Sequence, residues 1–354
     1  MGLQTLPFNK TLFKKDWKMT KWLCFVAAGI LFFTMTLGVI NTYNNYQRTL
    51  KEVEEHPERF SDFDAEVHKD YIKESLMRMF KRLTGMEPVV IIFMPMAAAA
   101  LLFGEEKRKK TLEVLSTMPF TRREIFFNKV IVACVNVFLP FLINAVIMLA
   151  ALGFSKGLRD FYSVGSVMSW LGADVFRLFV VLSFSLLFAS ITGTSISHLV
   201  LTIIFFIFPI GFAGLLDMNM SLWGYHTSVI DTFLNTFGTY TMPGLLDGIE
   251  NIPIVFHLIS AIVMIIAAKL LFDRNKLERS GETLEFESIE TFFKVGVTVC
   301  TSLLIGVIFT WLIGGIIFFS GDVPRIVTIV GYIIGILIGW FIASYSIKLN
   351  RVKA

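Results

Sequence analysis

Long uncharged apolar runs alternate along this chain with short polar segments that gather most of its charge. A helix needs about 20 apolar residues, at 1.5 Å each, to cross ~30 Å of hydrocarbon. Residues 22–40 meet that length without a single charge. A shorter run at 88–103, interrupted by Pro95, and a longer one at 130–155 follow. Residues 178–216 are free of charge apart from His198 and are far too long for one crossing. The polar string TGTSIS at 192–197 therefore predicts a turn between a fourth and a fifth span. Runs at 251–271, 295–319 and 326–347 bring the expectation to eight transmembrane helices.

The polar segments have patterns of their own. In the hydrophilic stretch 41–87, Val67, Tyr71, Leu76, Met79, Phe80 and Leu83 fall at helical spacing. They predict an amphipathic helix lying on the membrane or on the protein itself. Residues 217–250 contain no Lys or Arg but carry Trp223, Tyr225, Phe233, Phe237 and Tyr240. That composition predicts interfacial or re-entrant helices on the outer side.

Charge then sets the orientation. Lys10, Lys14, Lys15, Lys18 and Lys21 precede the first run. Lys107, Arg108, Lys109, Lys110, Arg122 and Arg123 lie between the second and third, and Lys348, Arg351 and Lys353 follow the last. Basic loops stay in the cytoplasm, so both termini are expected there, as an even number of crossings requires. The first run is too long for a signal peptide and no A-x-A site ends it, so it is read as an uncleaved span. Bulk composition agrees: 55% of residues are hydrophobic and 17% charged, against about 25% charged in soluble domains, with a mean hydropathy of +0.69. The net charge of +4 flanks apolar runs rather than forming a soluble basic face, which argues against nucleic-acid binding. Cys24, Cys134 and Cys300 lie far apart inside apolar runs, so neither a disulfide framework nor a metal site is expected.

Some polar residues lie within the spans. Asp174 and Arg177 share a helix face at the start of the fourth and predict a local ion pair. His198 and His257 are expected to stay neutral and hydrogen-bonded. Asn128, Asn136 and Asn144, eight residues apart, line one face of the third helix and predict a helix seam or a pore lining. Gly331, Gly335 and Gly339 form two overlapping GxxxG patterns on the eighth span and permit close helix approach within the chain.

One cytoplasmic segment stands apart, GEEKRKKTLEVLSTMPFTRREIFFNK at 104–129. Residues 111–118 can form about two helical turns with Leu112 and Leu115 on one side. Pro119 ends them, because the residue before proline avoids the helical region. Thr121 and Glu124 then form a capping box, with Phe120 and Ile125 at the hydrophobic-staple positions. A short helix bounded at Pro119, followed by a fresh helix from Arg122, is the expectation.

This segment resembles the first cytoplasmic loop of ABC-2 type permeases, the membrane subunits of ATP-binding cassette exporters. In that family acidic residues ending the second span lead into a Gly-Thr-Leu-Glu-x-Leu helix, then Pro-x-Ser/Thr-Arg and a lysine near the next span. The matching positions are Glu105, Glu106, Thr111, Leu112, Glu113, Leu115, Pro119, Thr121, Arg122, Glu124 and Lys129, while Lys110 replaces the usual glycine before Thr111. The two extra spans and the connector are similar to an eight-helix bacterial subgroup associated with acetoin and peptide-antibiotic export.

The resemblance implies an all-α, ABC-2-like (type V exporter) core at 1–272, including the outer segment 41–87 and a coupling loop at 104–124. A connector at 273–294 and a two-helix hairpin with a basic tail at 295–354 would complete the chain. It further implies a permease without its own ATPase site, in a bacterial plasma membrane. Two separate ATPase subunits would carry ATP and Mg, and a second permease, identical or homologous, would complete the dimer. No G-x-x-x-x-G-K-[ST] phosphate loop occurs in the sequence. Glu113 and Arg122 are the expected polar contacts with the ATPase, and Leu112 and Leu115 the apolar anchors. Export of an amphipathic peptide, antibiotic or lipid-like molecule is the expected activity. The alternative is an ion-coupled secondary transporter, a class marked by repeated halves and charges near the membrane midplane; neither feature is visible here.

Overall fold

The computed structural model describes residues 8–60, 63–109, 118–225, 228–275, 282–283, 285–317 and 324–348. Ten helices organise them: α1 (Lys10–Glu55), α2 (Ala65–Lys81), α3 (Glu87–Arg108), α4 (Arg122–Phe154), α5 (Val164–Ile191), α6 (Ser195–Leu222), α7 (Val229–Phe237), α8 (Ile254–Arg274), α9 (Glu287–Ile317) and α10 (Arg325–Lys348). No strand occurs among the described residues. All but α2 and α7 are long and apolar enough to cross a membrane, giving eight candidate spans. The protein is an all-α polytopic membrane protein.

Several helices overrun the apolar runs that announce them. The 46 residues of α1 extend ~69 Å, far beyond the 22–40 stretch, because backbone hydrogen bonding continues where lipid contact stops. A π-helical turn at Phe32–Thr36 interrupts it. The second span does not end at Phe103: α3 passes through another π turn, Ala100–Gly104, and continues to Arg108. Glu105 and Glu106 are therefore helical rather than part of a loop. The turn between α5 and α6 falls at 192–194, as the TGTSIS string predicts.

The chain forms two compact units. The first comprises Met1–Leu102, Thr121–Ser185 and Leu245–Val263. Within it α1 packs along α4 and against the first part of α3. Asp64 caps α2, accepting from the amides of Glu66 and Val67, and Leu76 and Phe80 bury its working face. Val67 and Tyr71 are exposed, which corrects the single stripe expected from spacing: Leu76 lies about 140° around the helix from Tyr71. Arg177 pairs with Asp174 at 2.6 Å and also donates to the carbonyls of Leu245 (2.8 Å) and Asp247 (3.0 Å). The ion pair read from sequence thus also anchors the chain segment entering α8.

The second unit comprises Phe103–Phe120, Leu186–Gly244 and Met264–Ala354. Its best-packed pair is the α9–α10 hairpin. Gly335 sits where a Cβ would lie 2.6 Å from the Ser302 Cα, and Gly339 where one would lie 2.9 Å from the Thr298 Cα. The GxxxG face of α10 is thus turned onto α9. Asn219 on α6 ties in this hairpin, accepting from the Tyr332 hydroxyl at 2.8 Å, while the Trp223 indole donates to that hydroxyl at 3.1 Å.

Candidate functional site

The segment singled out by sequence begins at the end of α3, in the second unit. Gly104 is required there by close approach: a Cβ would lie 2.6 Å from both the Cα and the amide nitrogen of Ser195. Glu105 follows, accepting from the Ser195 hydroxyl at 3.1 Å and from Arg108 at 2.9 Å. Glu106 is buried. Lys107 is also buried, and its ammonium donates to the carbonyls of Ala189 and Thr192, both at 2.9 Å, and to Glu285 at 2.8 Å. A helix end leaves its last carbonyls without intrahelical partners and carries partial negative charge. Lys107 supplies both a donor and a positive charge to the end of α5.

The connector reaches the same helix end. The Glu285 amide donates to the Ile191 carbonyl at 3.0 Å, and the Gly193 amide donates to the Glu282 carbonyl at 3.1 Å. Asn275 donates its side-chain amide to Glu285. Burial pushes the Glu285 carboxyl above its ordinary range, with the Lys107 ammonium pulling the other way.

Thr111, Leu112, Glu113 and Leu115 lie outside the described residues. Beyond them Pro119 sits in a turn in which the Phe120 amide donates to the Met118 carbonyl at 2.7 Å. In the first unit Thr121 then caps α4. Its hydroxyl accepts from the Glu124 amide at 3.2 Å, and the Glu124 carboxylate accepts from the Thr121 amide at 2.8 Å. This is the reciprocal capping box read from the sequence. Arg122 is exposed at the first helical position, and Ile125 is buried one turn on.

The asparagine row lies on the same helix, fully buried. Asn128 accepts from the Asn9 amide at 3.1 Å. Asn136 donates to the Thr20 hydroxyl at 2.8 Å. Asn144 donates to the Ala28 carbonyl at 3.2 Å and accepts from the Thr36 hydroxyl at 2.7 Å, at the π turn of α1. All three therefore meet α1 or its N-cap residue Asn9, with which they form a polar seam. Lys129, beside Asn128, donates to the Leu102 carbonyl within the π turn of α3 at 2.5 Å and stands 3.9 Å from Asp16.

Sequence reasoning missed several partners. Asp16 is the lone acid among the lysines before the first span, which was a usable signal. Trp170 stands at the i, i+4, i+7 spacing with Asp174 and Arg177, and its indole donates to buried Glu87 at 2.5 Å. Glu285 gave no signal, because the connector has no periodicity to mark it.

These features define a helical membrane protein whose second and third spans are joined by a short, sharply bounded basic segment. A profile of the ABC-2 family transporter proteins matches residues 11–277. The chain belongs to that family and is an ABC transporter permease, a multi-pass membrane protein. Searches of curated proteins and of solved structures found no match.

Proposed function

We propose that this permease exports an amphipathic peptide, antibiotic or lipid-like molecule across a plasma membrane. In this reading two separate ATP-binding cassette subunits bind ATP and Mg, hydrolyse the nucleotide and grip the segment 104–124 from the cytoplasm. A second permease, identical or homologous, completes the transmembrane dimer. The family core ends near residue 272, and the connector 273–294 and the last two spans are an addition to it.

The observation that supports this reading best is the firm seating of both ends of the segment. At one end Gly104, Glu105 and Lys107 are locked to the start of α6 and the end of α5. At the other, the capping box fixes where α4 begins. A segment held this way can pass a displacement into two spans, whereas a frayed loop would absorb it. Pro95 in α3 and Pro140 in α4 each remove a helical hydrogen bond and give the displaced helices places to bend.

Glu113→Lys tests the reading at the expected ATPase contact. In proteoliposomes containing the complete transporter, ATPase activity should persist while transport falls tenfold or more, corresponding to about 1.4 kcal/mol of lost coupling. An unchanged transport rate would refute the assignment.

A further inference from the structure

The family match stops at residue 277, yet Glu282, Thr283 and Glu285, just beyond it, are built into the second unit at the place where the candidate coupling segment begins. Glu285 and Lys107 are each 1% exposed in their side chains and stand 2.8 Å apart. Their pairing is reinforced on every side. The connector backbone exchanges hydrogen bonds with residues 191 and 193, and the Thr283 hydroxyl donates to the Ser346 carbonyl at the end of α10, 3.0 Å away. Phe103 packs edge-on against Phe272 of α8 at 5.8 Å between ring centres. One short stretch of connector therefore joins the ends of α3, α5 and α10.

A buried ion pair is poor evidence of stabilisation, since desolvation offsets its attraction and apolar replacements are often as stable. Its value is geometric: one lysine is held to two helix-end carbonyls and one carboxylate. The hairpin that follows is itself fixed to α6 through Asn219, Tyr332 and Trp223. Arg325 adds to this, lying over the Trp223 ring at 5.9 Å.

We infer that Lys107 and Glu285 are a positioning pair, through which the connector and the α9–α10 hairpin hold the last turn of α3 against the end of α5. ATP-driven displacement of the segment beyond Arg108 then moves α3, α5 and α6 together instead of unwinding the end of α3. The inference rests on the permease reading above. It assigns the two added spans a role in coupling rather than in substrate conduction.

The test uses the intact transporter, purified with its ATPase subunits and reconstituted, with transport per ATP hydrolysed as the readout. Wild type must first co-purify with an ATP-binding subunit; if it does not, the permease reading fails and this inference falls with it. The double variant Lys107→Met/Glu285→Met removes both charges while keeping apolar volume. It should keep the ATPase subunit bound and unfold near the wild-type temperature, while transport per ATP drops at least about five-fold. Glu285→Gln, which keeps an acceptor for Lys107, should retain most of the coupling that Glu285→Ala loses. Unchanged transport per ATP in the double variant would overturn the inference, as would loss of protein and transport in step with no change in their ratio to ATP. Should the double variant fail to accumulate, Thr283→Ala carries the same test. It cuts the connector's bond to Ser346 without stranding a charge, and wild-type coupling in that variant would overturn the inference.

Discussion

Single polar side chains in the spans of this protein are spent on named partners, and those partners decide what a substitution costs. Asn144 makes two contacts to α1 and one to the Pro140 carbonyl on its own helix. Interhelical hydrogen bonds within membranes contribute about 0.6 kcal/mol on average and up to ~1.7. Asn144→Ala should therefore destabilise the purified protein by about 1–2 kcal/mol, read as a lowered unfolding midpoint in detergent. Arg177→Met should cost more, about 3–5 kcal/mol by the same measurement, because it leaves Asp174 buried without its counter-charge. The spacing of Asn128, Asn136 and Asn144 made their shared face legible in the sequence. Their partners were not legible, because α1 answers with two threonines and two main-chain groups that carry no distinctive pattern.

Helix starts and stops were readable where a local hydrogen bond sets them, and unreadable where hydropathy was the only guide. The start of α4 follows from Thr121 and Glu124, three residues apart, and needs no tertiary information. Thr121→Ala should cost about 1 kcal/mol of stability, with Thr121→Ser close to wild type in the same thermal assay. The reach of α1 and α3 was underestimated, because charged residues end a lipid-compatible run without ending a helix. Both helices carry π turns, and each turn holds a group that receives a side chain of α4 or donates to one: Leu102 accepts from Lys129, and Thr36 donates to Asn144. Neither irregularity is visible in composition. Gly104 opens the segment singled out by sequence without being a motif position, and its reason, contact with the backbone of Ser195, appears only in the folded second unit.

At the level of the whole molecule, the described residues hold eight candidate spans, an even number, which puts the two ends of the series on one side. Basic residues lie around the first span, between the second and third, and after the last, the distribution expected of cytoplasmic segments. The seam between α1 and α4 agrees with alternating crossings at the start of the series. Its contacts advance together along both helices, from Asn9 with Asn128 to Thr36 with Asn144, so the first and third spans run parallel, as alternate crossings must. Hydropathy carried the number and order of the spans, and the family motif carried the functional segment. The role of the connector required knowing that residue 285 meets residue 107 across a long stretch of sequence. The central claim, that residues 104–124 are where separate ATPase subunits engage this permease, is tested most directly by a photoreactive side chain placed at Leu115 in native membranes. The account predicts cross-linking to an ATP-binding cassette subunit from the cytoplasmic side. Cross-links to lipid alone, or labelling of position 115 by an impermeant reagent added outside the cell, would contradict it.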